Sequence, residues 1–249
     1  MANVWFFGDS YCACNSNWVK QISKNLNANV ANLGIPGSSI GFLLDDLLRK
    51  HEDISSDDTV IVCVTDSNRE YFPPAHLQPW AISSMERGEA INWINYCINL
   101  SGGSSNPNPR LQAEHIYEAY REYIKFLFDE HHTTTKNHAI FSHIYNTILP
   151  SLATNKVLVL FSIGSTEYIK YPFLNTYSED LNTDSLWFFC GNYLTTNKLV
   201  NSWDEAVEYV RILENHWIDT PEYEYAFWNK FNPYFEKIGA ATSIKPKLR

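Results

Sequence analysis

The sequence predicts an α/β fold, a three-layer α/β/α arrangement around a mainly parallel, five-stranded sheet. Three observations lead there. Continuous apolar runs at ANVWFFG (2–8), DDTVIVCVTD (57–66) and NKVLVLFSIG (155–164) have the unbroken hydrophobicity of strands buried on both faces. Segments with helical spacing lie between them, as βαβ units require. A chain of 249 residues, 45% hydrophobic and 19% charged, has the material to bury such a core.

Taken in order, residues 2–8 are the first strand and end at Gly8. NWVKQISKNLN (17–27) places apolar residues at 18, 22 and 26, one helix face. NVANLGIPGSS (29–39) reads as a short second strand running into a Gly/Pro turn, and SIGFLLDDLLRKHE (39–52) as an amphipathic helix. The third strand is at 57–66 and the fourth at 155–164. Between them lies an insertion at about 70–152: an aromatic segment from Tyr71 to Tyr96, the loop SGGSSNPNP (101–109), a helix over 110–132 and another over 138–152. LWFFCGNYL (186–194) reads as either a fifth strand or a buried loop. TPEYEYAFWNKFNPYFEKIG (220–239) carries an N-cap Thr220, Pro221 at the first helical position and Gly239 past the end, the punctuation of a helix. The whole of 1–249 is expected to be a single domain with that insertion.

Composition excludes several roles. A net charge of −9 argues against nucleic acid or an anionic membrane as the main partner, since both select basic faces. No apolar run is long enough to span a bilayer, and the N-terminus has the look of a first strand and not of a signal peptide, so the expected location is cytoplasmic. The five cysteines are odd in number and unevenly spaced, and they read as free thiols. His131, His132, His138 and His143 cluster in sequence with no Cys or carboxylate to complete a metal pattern, so no metal is expected. No GxGxxG or Walker loop is present, and no cofactor is expected. The aromatic content of 15% suits a large aromatic core, or rings lining a groove for a flat ligand.

The chemistry concentrates where strands end. In open α/β sheets the reactive crevice lies outside the carboxyl ends of the strands. Gly8-Asp9-Ser10 ends the first strand, and a serine there can aim its Oγ into the crevice, with a helix N-terminus behind it to favour negative charge. NLGIPGSS (32–39) ends the second; Gly34 and Gly37 permit close backbone approach, and the Gly37 N–H suits an oxyanion. VTDSN (64–68) ends the third and offers Asp66 and Asn68. His216 lies just before the last helix, with Glu214 two residues upstream.

In this combination and order the sequence resembles the SGNH/GDSL hydrolase superfamily, over residues 4–228. The resemblance implies a flavodoxin-like sheet, Ser10 as nucleophile, Gly37 as oxyanion donor and His216 as base. Two blocks depart from the family. Where GxND is usual, Val64-Thr65-Asp66-Ser67 puts Asp66 in the place of the oxyanion Asn. An ionised Asp cannot donate, so either Asp66 is protonated, or Asn68 supplies the donor, or that donor is missing. Where DxxH is usual, Leu213 stands three residues before His216, and Glu214-Asn215-His216-Trp217 resembles instead the DxHW form of alginate O-acetyltransferase-like members. Glu214, Asp219 or a backbone carbonyl is then left to orient His216.

The function implied is a serine esterase acting on a short acyl or O-acetyl ester, of a small molecule or a carbohydrate, with acyl transfer as a variant. Tyr71 and Trp80 follow the third block and are candidates for a substrate wall. The competing expectation is a catalytically weak or inactive member of the fold, used as a structural or ligand-binding module in a viral or multi-subunit assembly.

Overall fold

The computed structural model describes residues 2–13, 17–32, 34–36, 38–65, 70–72, 80–82, 130–162, 185–213 and 216–240, with a few positions between 92 and 118, of which 110–116 are helical. In chain order come β1 (Asn3–Phe7), a 3-10 turn (Ser10–Cys12), α1 (Asn17–Leu26), β2 (Asn29–Asn32), α2 (Ile40–Lys50) and β3 (Thr59–Val64). They are followed by β4 (Glu70–Phe72), β5 (Trp80–Ile82), α3 (Glu130–His143) and β6 (Val157–Phe161). The chain then runs through α4 (Leu186–Thr196), α5 (Trp203–Ile212) and α6 (Pro221–Glu236).

β2, β1, β3 and β6 form, in that order, a four-stranded parallel sheet. The pairing follows from the sequence pattern. All six residues of β3 are buried, and alternate side chains serve opposite faces. Val4, Phe6, Ile61, Cys63, Leu158 and Leu160 face one layer, built from α1, α4, α5 and α6. Trp5, Phe7, Val60, Val62, Val64, Val159 and Phe161 face the other, built from α2 and α3. Each such side chain contributes about 1.5–3 kcal/mol by leaving water, which is why a parallel sheet must be covered on both sides.

Among the described residues the sheet has four strands, not five. The segment 186–194, which the sequence offered as a fifth strand or a buried loop, is α4. The Ser185 hydroxyl accepts from the Phe188 N–H and caps it. Leu186, Cys190 and Leu194 are buried at four-residue spacing. Trp187, Phe188, Phe189 and Tyr193 fill the positions between them and hide that period in a continuous apolar run. α5 had no counterpart in the sequence reading, although Ser202, three residues before Glu205, is a helix-start signal; the Ser202 hydroxyl accepts from the Glu205 N–H.

The insertion departs too. α3 runs through the Thr133–Thr135 stretch, where the sequence reading placed a break, and continues through a π-helical turn (Ile144–Ile148) to Ser151. Threonines are poor helix formers, but buried Phe141 and Ile144 join the apolar cluster on that face of the sheet, with Phe141 against Phe161 of β6. β4 and β5 form a separate antiparallel pair, with Phe72 and Trp80 as backbone partners in the register. The loop at 101–107 and most of the expected helix over 110–132 lie outside the described residues. α6 matches its expected punctuation: Thr220 accepts from the Tyr223 N–H, Pro221 opens the helix, and Gly239 has φ +73°.

One buried carboxylate binds the amino ends of the strands together. Asp58 Oδ1 accepts from the Asn3 N–H at 2.7 Å, and Oδ2 accepts from Trp5 Nε1 and from the Ser55 N–H, both at 3.0 Å. Its carbonyl accepts from Thr154 Oγ1 at 2.6 Å, just before β6. Burial raises the Asp58 pKa, but the hydrogen bonds from Trp5, Ser55 and Asn3 outweigh it, and the net value lies below the ordinary 3.8. Asp58→Asn should therefore cost about 2–4 kcal/mol at pH 7, read from denaturant midpoints. A carboxyl with a depressed folded pKa contributes stability above its unfolded pKa and loses it as pH falls through the folded value. The gap between wild type and Asp58→Asn should therefore shrink below about pH 4.

Candidate active site

β1 ends in a backbone that has no room beside it. Gly8 has φ +145°, and a Cβ there would lie 2.4 Å from the Cys63 carbonyl oxygen of β3. Only glycine satisfies both conditions. On the other side, the Gly8 carbonyl accepts from the Ile35 N–H at 2.9 Å and from Ser38 Oγ at 2.8 Å. Gly34 meets the Asp9–Cys12 segment directly: its N–H donates to the Cys12 carbonyl at 3.1 Å, and a Cβ would fall 2.4 Å from both the Asp9 carbonyl oxygen and Cys12 Sγ. The close approach expected of the second strand's glycines is thus made at Gly34.

Directly behind Ser10 stands a three-residue 3-10 turn, and α1 begins at Asn17, where the sequence reading placed the first helix. Asp9 caps the turn, its Oδ1 accepting from the Tyr11 N–H at 3.2 Å. Trp18 Nε1 donates to the Tyr11 carbonyl at 2.9 Å and ties the turn to α1. Ser10 is left half-buried, at the point where the chain's strand order reverses from β1–β2 to β1–β3.

His216 arrives from the far end of the chain. α5 ends at Ile212, and the Leu213 N–H closes on the Tyr209 carbonyl. The chain then turns sharply: the His216 N–H donates to the Leu213 carbonyl at 3.2 Å, and His216 itself has φ +52°. A non-glycine residue in that region carries strain on the order of 1–2 kcal/mol. The turn brings Nδ1 to 2.9 Å from the Val210 carbonyl, one of the acceptors a helix C-terminus leaves open. A carbonyl only accepts, so Nδ1 carries the proton, and in the neutral ring Nε2 presents its lone pair. Nε2 lies 2.9 Å from Ser10 Oγ. The Tyr11 ring stacks on the imidazole with centroids 4.4 Å apart and planes 21° apart. A serine hydroxyl hydrogen-bonded to an oriented imidazole is the arrangement that nucleophilic acyl chemistry requires.

Of the residues the sequence singled out, Ser10 and His216 are brought together. Gly37, Asp66, Asn68 and Glu214 lie outside the described residues. Tyr71 and Trp80 lie in β4 and β5. Asp219 is exposed. The backbone carbonyl that was one of three expected orienting groups is that of Val210; its identity carries no side-chain signal and required knowing where α5 ends. The stacking of Tyr11 on His216 was also missed, although its place beside Ser10 was visible. Among the described residues no group of three His, Cys, Asp or Glu side chains is placed to hold a metal ion. No described helix is long and apolar enough to cross a membrane. No protein-family model, curated protein or solved structure matches the chain.

Cys12, Cys63 and Cys190 are free and buried; Cys14 and Cys97 lie outside the described residues. Burial pushes the Cys63 thiol well above its usual value, with Cys12 and Asp9 adding to the shift. Burial takes Cys190 up to about 11, a hydrogen bond with Tyr223 pulling the other way. Neither is a thiolate at neutral pH, so both should resist iodoacetamide at pH 8 in the native protein and react on unfolding, as read by peptide mass mapping.

Proposed function

We propose that this chain is a serine ester hydrolase of the SGNH/GDSL type, acting through an acyl-enzyme on Ser10. The observation that carries the reading is the 2.9 Å contact between Ser10 Oγ and His216 Nε2, made across 206 positions of sequence by a ring whose other nitrogen is already engaged. The strand order supports the fold half of the resemblance. Counting only the parallel strands it is 2-1-3-4, the flavodoxin-like order without its last strand.

In the proposed reaction Ser10 Oγ attacks the ester carbonyl as its proton passes to His216 Nε2. The imidazolium keeps its Nδ1–H on the Val210 carbonyl, at the negative end of α5. The oxyanion takes the Ser10 and Gly37 N–H groups, the roles the resemblance assigns, with Asn68 able to donate in its ordinary state and Asp66 only when protonated. His216 returns the proton to the leaving alkoxide. Water, deprotonated by Nε2, then releases the acid and regenerates Ser10. Short acyl or O-acetyl esters, carbohydrate esters among them, are the proposed substrates.

A fluorophosphonate probe tests this. The expected result is one adduct, mapped to Ser10 by mass spectrometry, absent in Ser10→Ala and formed about 10²–10⁴-fold more slowly in His216→Asn. No adduct, together with no hydrolysis of aryl acetates, would sink the hydrolase reading and leave the structural or binding module. The orienting group has its own test. With Nδ1 on a main-chain carbonyl, Glu214→Gln should slow labelling less than about tenfold, whereas an orienting carboxylate is worth on the order of 10⁴-fold.

A further inference from the structure

Asp9 is fully buried, and its side chain does more than cap the nucleophile turn. While Oδ1 accepts from the Tyr11 N–H, Oδ2 accepts from Ser162 Oγ at 2.7 Å. Ser162 is itself fully buried and immediately follows β6. β3 lies between β6 and β1 in the sheet, so this bond reaches across the carboxyl end of the intervening strand.

Ser162 is a firm anchor for such a bond. Its N–H donates to the Val64 carbonyl at 2.8 Å, and its own carbonyl accepts from the Trp187 N–H at 2.9 Å. The backbone of Ser162 is therefore fixed to the end of β3 and to the first turn of α4. Its Oγ lies 2.9 Å from the Val64 carbonyl as well as 2.7 Å from Asp9, so the hydroxyl sits between two acceptors and has one proton to give. The Val64 carbonyl already holds the Ser162 N–H, and the charged acceptor makes the stronger bond.

Ser10 lies between the two residues that this carboxylate holds in place. Asp9 precedes it, and the Tyr11 N–H that Asp9 accepts from follows it. The Tyr11 ring in turn rests on the His216 imidazole. A shift of Asp9 is thus transmitted to both sides of the Ser10–His216 contact. We infer that Ser162 is a positioning residue for Ser10, acting through Asp9, and that the carboxylate locks the nucleophile turn to β3, β6 and α4. Its consequence for rate rests on the hydrolase reading; its consequence for the Ser10–His216 hydrogen bond does not.

The experiment measures both in the full chain. Ser162→Ala should lower the limiting rate of fluorophosphonate labelling about 10–100-fold, the cost of a misplacement of about 1 Å, with the probe's half-saturating concentration within about twofold of wild type. The loss should largely vanish when Ser162→Ala is made in an Asp9→Ala background, because the acceptor of the serine hydroxyl is then already absent. The ¹⁵N resonance of His216 Nε2, assigned by its disappearance in His216→Asn, should move in Ser162→Ala toward its position in Ser10→Ala. Wild-type labelling and a wild-type Nε2 resonance in folded Ser162→Ala overturn the inference. If wild type itself is not labelled, the resonance alone decides: a shift upholds the positioning role, no shift ends it; the hydrolase reading falls only where aryl acetates are not hydrolysed either. Should Ser162→Ala not fold, Ser162→Cys, which keeps the site filled but donates weakly, is measured in the same way against the same two outcomes.

Discussion

The end of β1 is approached by backbone from two sides at once, and the site is built on that squeeze. Gly8 lies against the Cys63 carbonyl on the β3 side, and Gly34 lies against Asp9 and Cys12 on the β2 side. Between them the chain has a single course, and it leads into the Asp9–Cys12 turn. Each glycine has a main-chain carbonyl oxygen, of Cys63 or of Asp9, 2.4 Å from where its Cβ would lie, and an added methyl group has nowhere to go. The position of Ser10 is therefore set by the sheet and by the loop after β2, before any side chain of the site is considered.

His216 is placed by different means. Its backbone is in a conformation that only a well-packed surrounding sustains, and the return on that strain is the direction of its ring. In the proposed hydrolase the Val210 carbonyl takes the place of a triad's carboxylate, fixing the tautomer and the plane of the ring. It supplies only part of a carboxylate's charge, so less stabilisation is available to an imidazolium than a full negative charge would give. The placement of the carbonyl at a helix C-terminus makes up part of the difference.

The sequence carried the central strands and the two ends of the site because those features are local. β1, β3 and β6 announce themselves as apolar runs, and Gly8-Asp9-Ser10 lies at the end of one. α4 was illegible as a helix because aromatic side chains cover the faces on which polar residues would have revealed the period. The orienting carbonyl of Val210 and the Asp9–Ser162 bond were illegible for another reason. They are tertiary, the second spanning 153 positions, and a main-chain acceptor or a serine after a strand looks like any other. Asp66 and Glu214 were singled out because a site of this chemistry calls for donors and a carboxylate. Sequence pattern alone cannot say whether such a role is filled by a side chain or by the backbone.

Ser10 and His216 also share one foundation. Trp217, next to His216, packs against Tyr223 and Phe227 with ring centroids 5.0 and 4.9 Å apart. Trp18, whose indole N–H holds the Tyr11 carbonyl, packs against Phe227 and Phe235 of the same helix. Phe227 of α6 therefore touches the ring beside His216 and the ring that holds the Ser10–Cys12 turn. Close-packed aromatic groups of this size have few alternative arrangements, and they resist the small relative displacement that would open a 2.9 Å contact. Much of the chain's aromatic richness is accounted for here. The large rings of α6 span the distance between two segments more than two hundred residues apart in sequence, beside the direct Ser10–His216 and Tyr11–His216 contacts between them.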